Sequence, residues 1–375
     1  MTYLDYAAAT PLDEQALSAM KPYFSDLFYN PSSGYLQAKK VRDSIEDSRK
    51  NVALELGCRP SEIIFTAGGT EANNMAIKGV MAKFPSKKLL ISSIEHDSVL
   101  ASSNQFSSDK ILVDQKATIL LKDLSQKIDD DTVLISVMYA NNEVGTIQPI
   151  KDISILIKQT RKDRANRNIK TPIYLHTDAC QAANYLDLHV NNLGVDLMTL
   201  NGGKIYGPKQ SGCLYVKAGV ELKNIISGGG QEKNLRSGTE NVAGIIGFTK
   251  ALQLTATLRT EESKRLNLLK QEFIKSLNPE KITINSTAKH SLPNMINISV
   301  TNTDGERLLM ELDEKGIMCS TGSACSARKD NPSHVLVAMG LSDQQIAGSL
   351  RFSMGRQTTM EDVKNCLKVL NQLIN

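Results

Sequence analysis

Between residues 60 and 216 short apolar runs alternate with longer amphipathic stretches, a rhythm that restricts the fold more than any other feature of the chain. Glu62-Ile-Ile-Phe65, Lys88-Leu-Leu-Ile-Ser92, Thr132-Val-Leu-Ile-Ser-Val-Met138, Pro172-Ile-Tyr-Leu175, Asp196-Leu-Met-Thr-Leu200 and Cys213-Leu-Tyr-Val216 read as strands. Strands covered on both faces have this composition, and the helical patterns between several of them predict crossovers in a largely parallel sheet. Ahead of this region, Tyr35 to Leu56 predicts a helix ended by Gly57, where the absent Cβ permits a left-handed cap. After it, Asn241 to Leu277 predicts a long helix, then strands around Met295 to Thr301, a polar loop from Cys319 to Pro332 and a terminal helix from Thr359. This tail reads as a smaller α+β domain, and the cleft between two domains is a common ligand site.

A chain of 375 residues has room for two or three domains, and 41% hydrophobic with 22% charged residues excludes the disordered and membrane classes. No apolar run approaches the roughly 18 residues of a bilayer span, and Met1-Thr2-Tyr3-Leu4-Asp5 is not a signal peptide, so the expected location is cytoplasmic, with no membrane partner. The 44 basic and 40 acidic residues are interspersed, which argues against direct nucleic-acid binding. Six cysteines (Cys58, Cys180, Cys213, Cys319, Cys325, Cys366) lack CxxC spacing, predicting reduced thiols and neither a disulfide framework nor a metal site.

Three segments carry chemical signals. In Phe65-Thr-Ala-Gly-Gly-Thr-Glu-Ala-Asn-Asn74 a strand runs through glycines into a helix, which directs backbone N–H groups at an approaching phosphate; a tight turn needs the same glycines for steric reasons alone. In His176-Thr-Asp178-Ala-Cys-Gln181 a carboxylate stands at a strand end, where it stays ionised if a cation faces it; a helix cap is the alternative. Leu200-Asn-Gly-Gly-Lys204-Ile-Tyr-Gly-Pro208 pins a lysine between glycines and a proline, either a surface loop or an amine whose burial favours the neutral, carbonyl-trapping form. Together they match the needs of pyridoxal 5'-phosphate: a phosphate cradle, a carboxylate for the pyridinium nitrogen and an amine for the aldehyde.

Over nearly its whole length the sequence resembles the cysteine desulfurases, fold-type I pyridoxal phosphate enzymes of the class-V aminotransferase family. Tyr3-Leu-Asp-Tyr-Ala-Ala-Ala-Thr-Pro11, Asn30-Pro-Ser-Ser33, Gly69-Thr-Glu71, Glu95-His96, Asn141-Asn-Glu-Val-Gly145, Asp178-Ala-Cys-Gln181, Lys204-Ile-Tyr-Gly-Pro-Lys209, Arg236-Ser-Gly-Thr239, Gly322-Ser-Ala-Cys325 and Arg351-Phe-Ser-Met-Gly-Arg356 follow the family order. Gly-Ser-Ala-Cys and Arg-Phe-Ser-Met-Gly look like the group I branch, serving iron–sulfur assembly or tRNA thiolation. The resemblance implies an α/β fold with a mainly parallel seven-stranded sheet. Residues 15–255 would form the large domain, and 1–14 with 256–375 the small domain carrying the Cys325 loop.

The resemblance also implies roles. Lys204 would bond the aldehyde, Asp178 would keep the pyridine nitrogen protonated, Gln181 and Asn142 would bond the ring oxygen and substrate, and His96 would stack on the ring and move protons. Gly69, Thr70 and Asn201 would hold the phosphate, with Thr239 from the other subunit of a homodimer, and Arg351 would take the carboxylate of L-cysteine. Cys325 would accept the sulfur as a persulfide, aided by Arg328 and Lys329, and pass it to an iron–sulfur scaffold or a tRNA-thiolating enzyme; Cys319 fits a buried structural thiol better. Asn201-Gly202-Gly203 departs from the usual serine, glycine, histidine, Tyr35 stands for a common histidine and Ala9 for a frequent threonine. An aminotransferase or selenocysteine lyase on the same cofactor frame is the alternative.

Overall fold

The computed structural model describes residues 1–287, 289–322 and 332–374. Twelve strands are present among them: β1 (Thr2–Tyr3), β2 (Ile63–Thr66), β3 (Lys88–Ser92), β4 (Ser108–Ile111), β5 (Thr132–Ser136), β6 (Tyr174–Asp178), β7 (Leu197–Asn201), β8 (Gly212–Val216), β9 (Ile282–Ile284), β10 (Met295–Val300), β11 (Ile317–Met318) and β12 (Ser349–Ser353). Seven form one sheet in the order β2-β8-β7-β6-β5-β3-β4. Its pairings are parallel except where β8 runs antiparallel to both β2 and β7. Because β2 is antiparallel to a strand that is itself antiparallel to β7, it points the same way as the parallel set. The carboxyl ends of β2, β3, β5, β6 and β7 therefore open on one edge. The chain leaves β3 for the edge strand β4 and returns to the other side of β3 as β5, so that edge contains the switch point at which such sheets bind ligands.

The predicted strands form where the apolar runs lie, with shifted limits. The run Pro172 to Leu175 becomes Tyr174–Asp178, extended through polar residues that are nonetheless buried: His176 bonds Ser136 Oγ (2.8 Å) and Thr199 Oγ1 (3.1 Å), and Thr177 Oγ1 donates to Val137 O (2.8 Å). β4 has no apolar run; three of its four residues are exposed, as an edge strand allows. The helix Leu36–Leu56 ends where Gly57 takes φ 64°, ψ 41°.

Two buried clusters cover the faces of this sheet, and a third joins Leu4 to residues 266–370 around the antiparallel sheet β12-β10-β9. The helix Val242–Lys275 ties them together: Phe248, Ala251 and Leu252 enter the first core, while Leu266, Leu269 and Phe273 enter the other. The N-terminal segment crosses back, since β1 pairs with β11 and Asp5 bridges Ser353. That return lays residues 5–9 over the switch-point edge of the large sheet. No helix among the described residues is long and apolar enough to cross a membrane.

Candidate active site

At that edge a cavity of about 260 Å³ is lined by Asn73, His96, Asn142, Asp178, Gln181, Lys204 and Arg351, among others. A more open one of about 700 Å³ shares Gly69, Thr70, Asn201 and Lys204 with it and reaches outward past Lys209. The structure thus brings together nine of the sequence-predicted residues from five strand ends and one distant strand. Thr239 is exposed and lines neither cavity of its own chain. Cys325, with Arg328 and Lys329, lies outside the described residues.

Gly69 opens the helix Gly69–Lys83, and its cap Gly68 has φ 123°, which side chains rarely adopt. The first intrahelical bond runs from Ala72 N to Gly68 O (3.1 Å), so the N–H groups of Gly69, Thr70 and Glu71 stay available to an anion. A Cβ on Gly69 would come within 2.8 Å of Cys180 Sγ, so close approach favours glycine at this position too. Asn201 accepts from Gly203 N at Oδ1 (3.1 Å), which leaves its amide nitrogen toward Gly69, 3.5 Å from where that Cβ would stand.

Asp178 ends β6, and a turn, not a helix, follows it. Its Oδ1 accepts from Cys180 N (2.9 Å), closing the local turn, while Oδ2 accepts from Asn73 Nδ2 (2.7 Å). The side chain is 7% exposed and no cation forms an ion pair with it among the described residues. A buried carboxylate with only neutral donors is poised for a cationic ligand atom. The same Asn73 amide donates its second hydrogen to Ser98 Oγ (2.8 Å), and Ser98 Oγ lies 2.8 Å from His96 Nδ1. Ser98 N also donates to His96 Nδ1 (3.1 Å), so the neutral imidazole carries its proton on Nε2. Asn73 and Ser98 went unassigned in the sequence: each reads there as an ordinary helix residue, and the contacts that give it a role span 105 and 25 positions.

Lys204 donates from Nζ to Ala7 O (2.8 Å) and Ala8 O (2.6 Å), and Gln181 Nε2 also donates to Ala7 O (2.9 Å). The N-terminal segment therefore holds the amine at the cavity wall, through carbonyls that no side-chain motif reveals. Arg351 arrives on β12, 2% exposed, and donates from Nη1 to Asn142 O (2.9 Å) and from Nη2 to Asp5 Oδ1 (2.7 Å). Its Nε is buried without a partner among the described residues, an orphaned donor at the cavity that a carboxylate would satisfy.

Burial sets the charge states around this centre. Desolvation pushes Glu95, beside His96, up to about 8 and raises Glu143, which accepts from Ser333 Oγ (2.5 Å). It pulls His176 down to about 4, leaving a neutral ring under the site. Burial, with the Asp178 charge second, holds the Cys180 thiol protonated, and burial pushes Cys319 up to about 12, as a structural thiol requires. An elongated ligand with a cationic ring atom, a carbonyl and an anionic tail would find a partner for each in this cavity.

Residues 2–366 match the family described as Aminotransferase class-V. The chain is 41% identical over 381 residues to the cysteine desulfurase IscS of Dictyoglomus turgidum, covering 99% of this chain and 94% of that one. It is 41% identical over 382 residues to cysteine desulfurase IscS 1 of Archaeoglobus fulgidus, covering 100% and 97%. Among solved structures it is similar to a NifS-like protein (TM-score 0.91, 32% identity, 100% of this chain and 99% of the other). It is also similar to SspA in complex with cysteine (TM-score 0.82, 33% identity, 94% and 99%).

Proposed function

We infer the chemistry of this site from one premise: the chain belongs to the class-V aminotransferase family and is a cysteine desulfurase. The family is pyridoxal phosphate-dependent, and the residues present fit that group: a buried carboxylate lacking a cation, a glycine-headed helix start and an amine converge on one cavity. That convergence carries the proposal. When bound, the cofactor supplies an aldehyde for amino groups and a ring that withdraws electrons from the carbon skeleton attached to it.

The side chains around it have separable tasks. Asp178, to which Asn73 and Cys180 N donate, would accept the ring N–H. Gly69 and Thr70 N–H groups and the Asn201 amide bind the phosphate, and Gln181 with Asn142 bonds the ring oxygen and substrate. Arg351 takes the carboxylate of L-cysteine, Asn142 O and Asp5 fixing the plane of its fork. Lys204 Nζ would hold the aldehyde end of the cofactor and carry a proton, and His96, with Nδ1 occupied, would move protons at Nε2.

The Cys325 thiolate attacks the sulfur of the substrate. An S–S bond forms, the Cβ–S bond breaks with its electron pair left on carbon, and that carbon takes a proton to become the methyl of L-alanine. The persulfide on Cys325 then passes its outer sulfur to an acceptor protein, an iron–sulfur scaffold or a tRNA-thiolating enzyme. A homodimer would supply Thr239 to the opposite phosphate site. Its support is the exposure of Thr239, together with a patch around Phe24, Phe28 and Tyr35 in which Phe28 and Tyr29 stack at 4.6 Å. We assign residues 15–255 to the large domain, 1–14 and 256–375 to the small one, and the protein to the cytoplasm.

Incubation with L-cysteine, followed by thiol trapping and peptide mass analysis, tests the reading. Stoichiometric alanine and one extra sulfur atom on the Cys325 peptide are expected, and Cys325→Ser should keep the visible cofactor absorption yet release no sulfide. Sulfide release at the normal rate from that variant would assign the acceptor role elsewhere; keto acid in place of alanine would favour an aminotransferase.

A further inference from the structure

A phosphate dianion needs more positive charge than a helix start supplies, about half an elementary charge. Three charged side chains line the outer cavity: Glu71, Lys204 and Lys209. Glu71 is already answered, since Arg236 donates to Oε1 from Nε (2.7 Å) and to Oε2 from Nη2 (3.2 Å). Lys204 Nζ sits on the carbonyls of Ala7 and Ala8 and is the amine reserved for the aldehyde. Lys209 remains, and no carboxylate of the described residues forms an ion pair with it.

Its placement suits the task. Lys209 follows the turn Gly207-Pro208 and lies across the open side of Gly203: a Cβ built on Gly203 would stand 3.7 Å from Lys209 Cγ and 3.9 Å from its Cα. The nearest other atom to that point is Asn201 Oδ1 at 3.6 Å, so the lysine stem and the Asn201 amide flank one gap. The absence of a side chain at 203 leaves room for a four-carbon stem to reach the helix start, and a flexible ammonium is suited to a point-charge contact with phosphate. We propose that Lys209 is a further cofactor-binding residue, whose ammonium closes over the phosphate held by Gly69 and Thr70.

This rests on the cofactor reading above, so the test separates the two. Holoenzyme is stripped, and the dissociation constants of pyridoxal 5'-phosphate and of phosphate-free pyridoxal are measured by absorbance for wild type, Lys209→Ala and Lys209→Arg. The alanine variant should bind pyridoxal 5'-phosphate about tenfold or more weakly, pyridoxal should be unaffected, and arginine should retain most of the affinity. The loss should shrink with salt, because the lysine is exposed. Unchanged affinity in Lys209→Ala, an equal loss for both ligands, or an arginine variant as weak as alanine would overturn the assignment. Wild-type protein that binds neither ligand would instead overturn the cofactor reading.

Discussion

Glu95→Gln isolates a single buried charge and gives a prediction with a sign. Glu95 is fully buried; its Oε1 accepts from Ser92 Oγ (2.6 Å) and Met138 N (2.7 Å), and its Oε2 has no partner among the described residues. Desolvation outweighs those two bonds and lifts the carboxyl from 4.5 to about 8. Below 4.5 the acid is neutral whether the chain is folded or not. Above it the unfolded chain ionises while the folded one keeps its proton, so stability falls as pH rises until the folded group ionises near 8. At about 1.4 kcal/mol per pH unit the full excursion is on the order of 5 kcal/mol. Glutamine is neutral throughout and lacks the slope. Urea unfolding of both proteins should show their stability difference moving in favour of the variant by about 1.4 kcal/mol per pH unit between about pH 5 and about pH 8, then levelling. A constant offset of about 1–3 kcal/mol from an unpaired amide hydrogen leaves that slope intact. Parallel curves across the range would refute the buried neutral acid.

Other substitutions probe the site. Arg351→Lys loses the planar fork, so KM for L-cysteine should rise about ten- to hundredfold in steady-state assays with cofactor absorption retained; an unchanged KM would remove Arg351 from substrate binding. Gly69→Ala sets a methyl 2.8 Å from Cys180 Sγ and should lower the urea midpoint by an amount equivalent to about 1–3 kcal/mol. Adding Cys180→Ala should recover most of that loss, and strict additivity in the double variant would show that the sulfur is not the obstacle. Ser98→Ala cuts the hydrogen-bond path from Asn73 to His96, so kcat should fall about tenfold with cofactor affinity unchanged and threonine restoring it. A kcat equal to wild type would leave the backbone bond from Ser98 N as sufficient.

Much of the sheet was legible because its strands are buried on both faces and so read as continuous apolar runs. The reading failed where that logic stops: β4 at the edge is polar, and β6 runs on through His176 and Thr177, whose polar atoms are satisfied by neighbouring strands. The site was legible in part for a related reason. Asp178, Lys204 and Gly69 each stand at a strand end with a local signature in glycine, proline or charge. Asn73, Ser98, Asp5 and the Ala7 and Ala8 carbonyls carry no such signature, since any helix or loop offers the same groups.

What the linear order determined by itself was which chemical groups the protein owns and on which strand ends they stand, because side-chain periodicity and turn chemistry act over a few residues. Only the tertiary structure decided which of them share a cavity and in what state. Arg351 reaches the switch-point edge through a second core, the N-terminal segment is carried back over it by β1 and β11, and Asp178 is joined to His96 through Asn73 and Ser98. Desolvation and hydrogen-bond direction depend on everything packed around a group, and those neighbours come from positions hundreds of residues apart.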